Sequence, residues 1–268
     1  MGRPAGAVEA DSDHDETVRA NPAIVRFSQG SAAGPRLVCF PYAGAGALAY
    51  RSWAEGLPAE VAVLALRPPG RESRLFEPAS TTVAALVDEA VAVLDDQLSA
   101  PFALFGHSLG ALVAFEVARV LCQRGGPRPA LVVVAGRRAP QLARLQSTLH
   151  AKAPHDEFVA ALRELEGTPP EVLANEDLLR LLLPTLRADL AASQSYEYHA
   201  EAHPPLDCRL LALSGQSDPL AGSAAMEPWR EQTSGSFELQ TLPGKHFFLH
   251  SSEAVLLRLL SRELSALA

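Results

Sequence analysis

The chain has 268 residues, 48% hydrophobic and 20% charged, enough for one large core or one core with an insertion. A formal net charge of −8 excludes a nucleic-acid binder held by its overall field, and no run of about 18 apolar residues is present to span a membrane. Cys39, Cys122 and Cys208 have apolar neighbours and form no C-x-x-C pair, so they read as buried, reduced thiols of a cytoplasmic protein.

Residues 1–22 are acidic, contain Gly and Pro and show no periodicity. They read as a flexible tail, and they lack the basic start and apolar core of a signal peptide. From residue 23 to residue 268, short β-like runs alternate with longer helical ones. The strands are expected at Ile24–Phe27, Arg36–Phe40, Val61–Leu66, Phe102–Phe105, Leu131–Ala135, Arg209–Leu213 and Phe237–Thr241. Helices are expected at Thr81–Leu98, Leu109–Gln123, Ala224–Gln232 and Glu253–Leu267. Several strands are apolar throughout, as strands covered on both faces are. The alternation predicts an α/β fold with a mostly parallel sheet. Between Arg137 and Pro204 the strand signal stops. Helix-periodic pieces at Leu142–Leu149, Asp156–Leu165 and Asn175–Leu190 follow, punctuated by Pro154, Pro169, Pro170 and Pro184. This helical insertion, about 137–204, is either extra packing or a lid. It begins at the carboxyl end of a strand, where open α/β sheets place their sites, and that favours the lid.

The strongest chemical signal is FALFGHSLGA, which holds G-x-S-x-G as Gly106, Ser108 and Gly110. With Gly and Ser each near ~7% of residues, chance gives on the order of 0.1 such matches in a chain of this length, so the flanks must decide. An apolar strand leads in and a helical run leads out, the strand-turn-helix of a nucleophile elbow. The turn strains the Ser108 backbone, and the two glycines leave room where side chains would collide. Ser108 then stands at a helix N-terminus, which favours developing negative charge.

A serine nucleophile needs a base, and the base needs an orienting acid, both later in the chain. His246 sits in LPGKH, after the last strand and before the last helix, with His250 its rival one turn on. Asp218 ends the apolar strand of LALSGQSDP, where its carboxylate can accept from an imidazole N–H. Asp207 lies at the wrong end of that strand, and Asp95 and Asp96 precede Ser108. The pairs His199/His203 and His246/His250 have the i,i+4 spacing of metal ligands. Neither has the H-E-x-x-H glutamate, so no metal is expected.

One segment competes with this scheme. FPYAGAGALA fits the G-x-G-x-x-G/A pattern of a dinucleotide turn. However, Pro41, Tyr42 and Ala43 separate the strand from Gly44, and the next strand ends in Arg67 rather than an acid. A hydrolase with this elbow needs a second oxyanion donor from the loop after an earlier strand, and this loop stands there. No cofactor is therefore expected.

With LVCFPYAGAGA, RPPGRESRL, FGHSLGA, GQSDP and GKHFFL in order across roughly residues 36–250, the chain resembles the type II thioesterases of polyketide and nonribosomal peptide synthesis. That resemblance implies an α/β-hydrolase fold with a helical lid. It implies Ser108, Asp218 and His246 as a triad, and the N–H groups of Leu109 and Ala43 as the oxyanion hole. It implies hydrolysis of acyl groups from the phosphopantetheine arm of acyl- or peptidyl-carrier proteins, an editing role in antibiotic assembly. The family often has His at the position of Tyr42 and adjacent glycines where this chain has Gly44-Ala45-Gly46. Arg67, Arg71 and Arg74 cluster after a strand end, and Arg137 and Arg138 open the insertion. They offer a basic patch for an acidic carrier protein, or solvated charge paired with Glu72 and Glu77. Leu178, Leu182 and Leu186 are candidates to line an acyl pocket, or to be core. The short tail favours a free-standing monomer. A chain-releasing thioesterase or a small-molecule carboxylesterase on the same fold is the alternative.

Overall fold

The computed structural model describes residues 21–95, 97–98, 101–142, 149–165, 167–168, 170–200 and 204–267. The acidic tail up to residue 20, Asp96, most of the Leu142–Leu149 piece, Pro169 and His203 lie outside the described residues. Among the described residues seven strands form one sheet: β1 (Ile24–Arg26), β2 (Arg36–Phe40), β3 (Ala62–Leu66), β4 (Phe102–His107), β5 (Leu131–Ala135), β6 (Arg209–Gly215) and β7 (Phe237–Leu242). Their spatial order is β1-β3-β2-β4-β5-β6-β7. Only β1 runs antiparallel to its neighbour.

The period of two along each strand divides the core. Val38, Phe40, Leu104, Val132, Val134 and Ala212 face one side, packed with α2 (Val83–Leu94) and α3 (Leu109–Gln123). Leu37, Cys39, Phe105, Val133 and Leu211 face the other, with α1 (Trp53–Gly56) and α9 (Glu253–Ser265). Both faces are covered, so the central strands are apolar without alternation. Helix α2 starts at Val83, two residues after the sequence expectation. There the Thr82 hydroxyl caps the Ala85 N–H at 3.2 Å. The expected helix at Ala224–Gln232 divides into α7 (Ser223–Met226) and a 3-10 segment, Glu227–Gln232. Pro228, lacking an N–H, stands at the break.

Between β5 and β6 come α4 (His155–Leu165), α5 (Pro170–Leu173) and α6 (Glu176–Ser195). Asn175 caps α6, accepting from the N–H groups of Asp177 and Leu178. The helix runs through Pro184 and past Leu190, held by a buried face of Leu179, Leu183, Asp189 and Ala192. Leu149, Phe158, Leu162, Leu179 and Leu183 give this insertion a small core of its own. Helix α8 (Phe248–Ser251) lies between β7 and α9.

Candidate active site

Ser108 stands between β4 and α3 at φ 54°, ψ −114°, a backbone conformation L-residues rarely adopt. Its N–H donates to Ala135 O at 2.8 Å, tying the turn to β5. A Cβ at Gly106 would lie 2.1 Å from Gly110 O, and one at Gly110 would lie 2.0 Å from Phe40 O. The sharp turn and the close approach of α3 to β2 therefore both require bare backbone.

Asp218 and His246 reach the same end of the sheet from neighbouring turns. Gln216 N–H donates to Leu242 O, and Ser217 N–H to Gly244 O, which staples the turn after β6 to the turn after β7. A Cβ on Gly215 would lie 2.3 Å from Lys245 O, so this staple also depends on glycine. The Asp218 carboxylate is buried and fully used. Oδ1 accepts from the N–H groups of Leu220 and Ala221 at 2.8 and 3.1 Å, and Oδ2 pairs with His246 Nδ1 at 2.9 Å. The carboxylate fixes the proton on Nδ1 and leaves Nε2 as the basic nitrogen. Nε2 and Ser108 Oγ have no hydrogen-bond partner among the described residues. Ser108 and His246 both line a cavity of about 870 Å³, within the size range of small-molecule pockets.

His250, the rival base, bonds through Nε2 to Tyr42 Oη at 2.8 Å and stacks on Phe247. Burial lowers its pKa, and burial pushes the Tyr42 phenol up to about 12. His246 and His250 thus point to different partners. Among the described residues no group of three metal-ligating side chains assembles.

The FPYAGAGALA loop forms a tight turn. Ala45 N–H donates to Tyr42 O at 3.0 Å, with Gly44 at φ 80° in the third position, as a type II turn requires. Ala43 lines the cavity beside Ser108, and no hydrogen bond among the described residues engages the N–H of Ala43 or Leu109. Gly44 N–H, which a pyrophosphate would need, donates instead to Asp189 Oδ2 at 2.7 Å. The loop then feeds a short 3-10 segment, Ala47–Tyr50, rather than the long helix of a dinucleotide site.

Of the three arginines offered for docking, Arg71 and Arg74 are buried and Arg67 is partly buried. Arg71 is 5% exposed and makes a bidentate pair with Asp189. Arg74 is buried against Glu77 and Glu89, and Arg67 pairs with Glu72 at 2.7 Å. Carboxylates that are distant in sequence, Asp189 and Glu89, close on two of them. Of the three leucines offered for an acyl pocket, Leu186 lines the cavity, joined one turn later by Leu190. Leu178 is 41% exposed, and neither it nor Leu182 borders the cavity, because both lie toward the α6 N-terminus, beyond its wall.

Sequence reading missed His107. It is 0% exposed, packs on His246 with ring centroids 5.0 Å apart, and neither ring nitrogen has a partner among the described residues. Desolvation, aided by His246 and His250, lowers its pKa well below the usual imidazole range. Below about pH 6.5 the unfolded chain takes a proton that folded His107 refuses, so stability is present above that pH and is lost below it. Unfolding free energy should fall by up to ~1.4 kcal/mol per pH unit between pH 6 and 5, with His250 adding in the same direction. In His107→Gln the slope, measured by urea melts at each pH, should be shallower; an unchanged slope would reject His107 as its source.

A seven-stranded, mainly parallel sheet with a serine elbow and a helical insertion defines an α/β-hydrolase. The chain belongs to the thioesterase family, whose domain model matches residues 35–262. It is 42% identical to the linear gramicidin dehydrogenase LgrE of Brevibacillus parabrevis over 86% of this chain and 88% of that one. It is 41% identical to the thioesterase PikA5 of Streptomyces venezuelae over 85% and 80%. The structure of the type II thioesterase BorB from the borrelidin biosynthetic cluster superposes with a TM-score of 0.82, at 32% identity, covering 92% of this chain and 97% of that one.

Proposed function

We propose that the chain hydrolyses acyl thioesters carried on the phosphopantetheine arm of acyl- or peptidyl-carrier proteins, with Ser108 as nucleophile, His246 as general base and Asp218 as the orienting acid. The observation that carries this reading is the buried Asp218–His246 pair opening, with Ser108, onto one cavity. Names among the relatives, a borrelidin-cluster type II thioesterase and PikA5, support the carrier-bound substrate. Nε2 of His246 takes the Ser108 proton as Oγ attacks the thioester carbonyl. The oxyanion rests on the N–H groups of Leu109 and Ala43, donors whose individual loss typically costs ~100- to 1000-fold in rate. A thiol leaving group, with pKa near ~8.5, departs more readily than an amine. Water activated by His246 then clears the acyl-serine. Helices α4 and α6 serve as a lid whose Leu162, Leu165, Leu186 and Leu190 give the acyl chain an apolar wall. Removing stalled or wrongly primed chains keeps a synthase running.

The test is mass spectrometry of carrier proteins loaded with different acyl groups, before and after exposure to the protein. Loss of the acyl mass with retention of the phosphopantetheine arm is expected. Equal or faster hydrolysis of simple oxygen esters would shift the assignment to a carboxylesterase.

A further inference from the structure

Asp189 sits on α6, 145 residues from Gly44 in sequence, yet its buried carboxylate accepts the Gly44 N–H at 2.7 Å. Arg71 holds the same carboxylate through two hydrogen bonds of 2.8 and 2.9 Å. The guanidinium also donates to Ala45 O at 2.7 Å. Together with the Ala45 N–H to Tyr42 O bond, these contacts pin the four peptide units from Tyr42 to Gly46, through the Tyr42 carbonyl, the Gly44 N–H, the Ala45 N–H and the Ala45 carbonyl. In a trans peptide the carbonyl of one residue and the N–H of the next point in opposite directions. Fixing the Tyr42 carbonyl therefore aims the Ala43 N–H. One turn earlier on α6, Thr185 donates to Gly70 O at 2.5 Å, so the same helix also holds the loop that carries Arg71.

We infer that Asp189 is a positioning residue. Through Arg71 and Gly44 it locks the oxyanion loop to the lid helix, so the helix that walls the acyl chain also sets the aim of the Ala43 donor. This rests on the oxyanion role given to Ala43 above. A carboxylate and a guanidinium at 1% and 5% exposure are a costly way to join a loop to a helix, because both must leave water. A purely structural contact is met as well by apolar side chains of similar volume. Placing the aim of a peptide N–H is not, because only an acceptor on Gly44 and a donor on Ala45 fix the peptide planes. The seat is also sterically tight: a Cβ at Gly44 would lie 3.0 Å from Cδ1 of Leu186, a cavity-lining residue of α6.

The experiment compares the full-length wild type with Asp189→Asn and with the double variant Asp189→Leu/Arg71→Met. An acyl thioester is the substrate, and an acyl trifluoromethyl ketone, which forms a tetrahedral adduct on a nucleophilic serine, reports the oxyanion geometry. Asp189→Asn leaves the Arg71 charge buried and unpaired, so its thermal midpoint should fall; the double variant removes both charges and should recover most of that loss. In the double variant kcat should still fall on the order of 10- to 100-fold with KM nearly unchanged, and ketone affinity should weaken in proportion to kcat/KM. Asp189→Asn, which keeps an oxygen acceptor for Gly44, should lie between. A double variant that is folded and turns over at the wild-type kcat overturns the inference. So does a loss of activity explained wholly by fewer active sites on titration. If Ser108→Ala retains hydrolysis, the functional assignment fails instead, whatever Asp189 does.

Discussion

Replacing Ser108 with alanine is expected to lower thioester turnover on the order of 10⁵- to 10⁶-fold, leaving only the rate from substrate binding and the oxyanion donors. The fold should not suffer. Ser108 Oγ has no hydrogen-bond partner to lose among the described residues, and alanine has the same Cβ. The strained backbone makes a second substitution informative. At φ 54°, ψ −114° a non-glycine residue costs on the order of 1–3 kcal/mol. Ser108→Gly relieves that strain while adding about 0.4–1 kcal/mol of unfolded-state entropy. The net expectation is a protein more stable by about 1 kcal/mol and just as inactive. Urea melts of the wild type and both variants, read beside carrier-protein deacylation and labelling by a serine-directed fluorophosphonate, check both halves. Wild-type labelling that persists in Ser108→Ala places the nucleophile elsewhere. A Ser108→Gly variant less stable than wild type would show that the elbow is not strained by its side chain.

The elements legible in the sequence are those whose cause is local. Leu37–Phe40, Phe102–Phe105 and Leu131–Ala135 are apolar throughout, and they are the central parallel strands with both faces covered. Gly106 is required by the carbonyl of Gly110 within the five-residue motif itself, while Gly110 answers to Phe40 O on β2. GQSDP and PGKH each end a strand, and adjacent parallel strands bring Asp218 to His246. What escaped reading depends on partners far apart in the chain. Pairing of this arginine cluster with Glu72 and Glu77 is one of two readings open from sequence, and Arg67–Glu72 and Arg74–Glu77 form; nothing near Arg71 and Arg74 reveals Asp189, which is 118 residues from Arg71, or the turn of α2 that presents Glu89. Asp189 itself lies in LRADLAAS, where helical periodicity places a charge without saying that the carboxylate is buried. His107 was hidden inside the elbow motif, whose pattern leaves that position free. Leu178 and Leu182 share a helical stripe with Leu186, and only the span of the cavity along α6 separates them.

Asp218→Asn is expected to lower kcat by about 10⁴-fold, with KM and stability changed far less. The reason lies in how the carboxylate is already held. Oδ1 accepts two backbone N–H groups, from Leu220 and Ala221. An asparagine must put its carbonyl oxygen on those two donors, because its NH₂ would repel them. The NH₂ then faces His246 Nδ1, where the wild type presents Oδ2 at 2.9 Å. Nδ1 must become the acceptor, which moves the imidazole proton to Nε2, the nitrogen that receives the Ser108 proton in the proposed mechanism. The substitution thus keeps the shape and inverts the tautomer, and it also removes the charge that stabilises the imidazolium. Steady-state turnover of an acyl thioester measures the loss, and ¹⁵N shifts of the His246 ring report which nitrogen carries the proton. If Asp218→Asn retains more than about a tenth of the wild-type kcat, another group orients the base and the assignment of Asp218 is wrong. If kcat falls while Nδ1 keeps its proton, the charge rather than the tautomer is what Asp218 supplies.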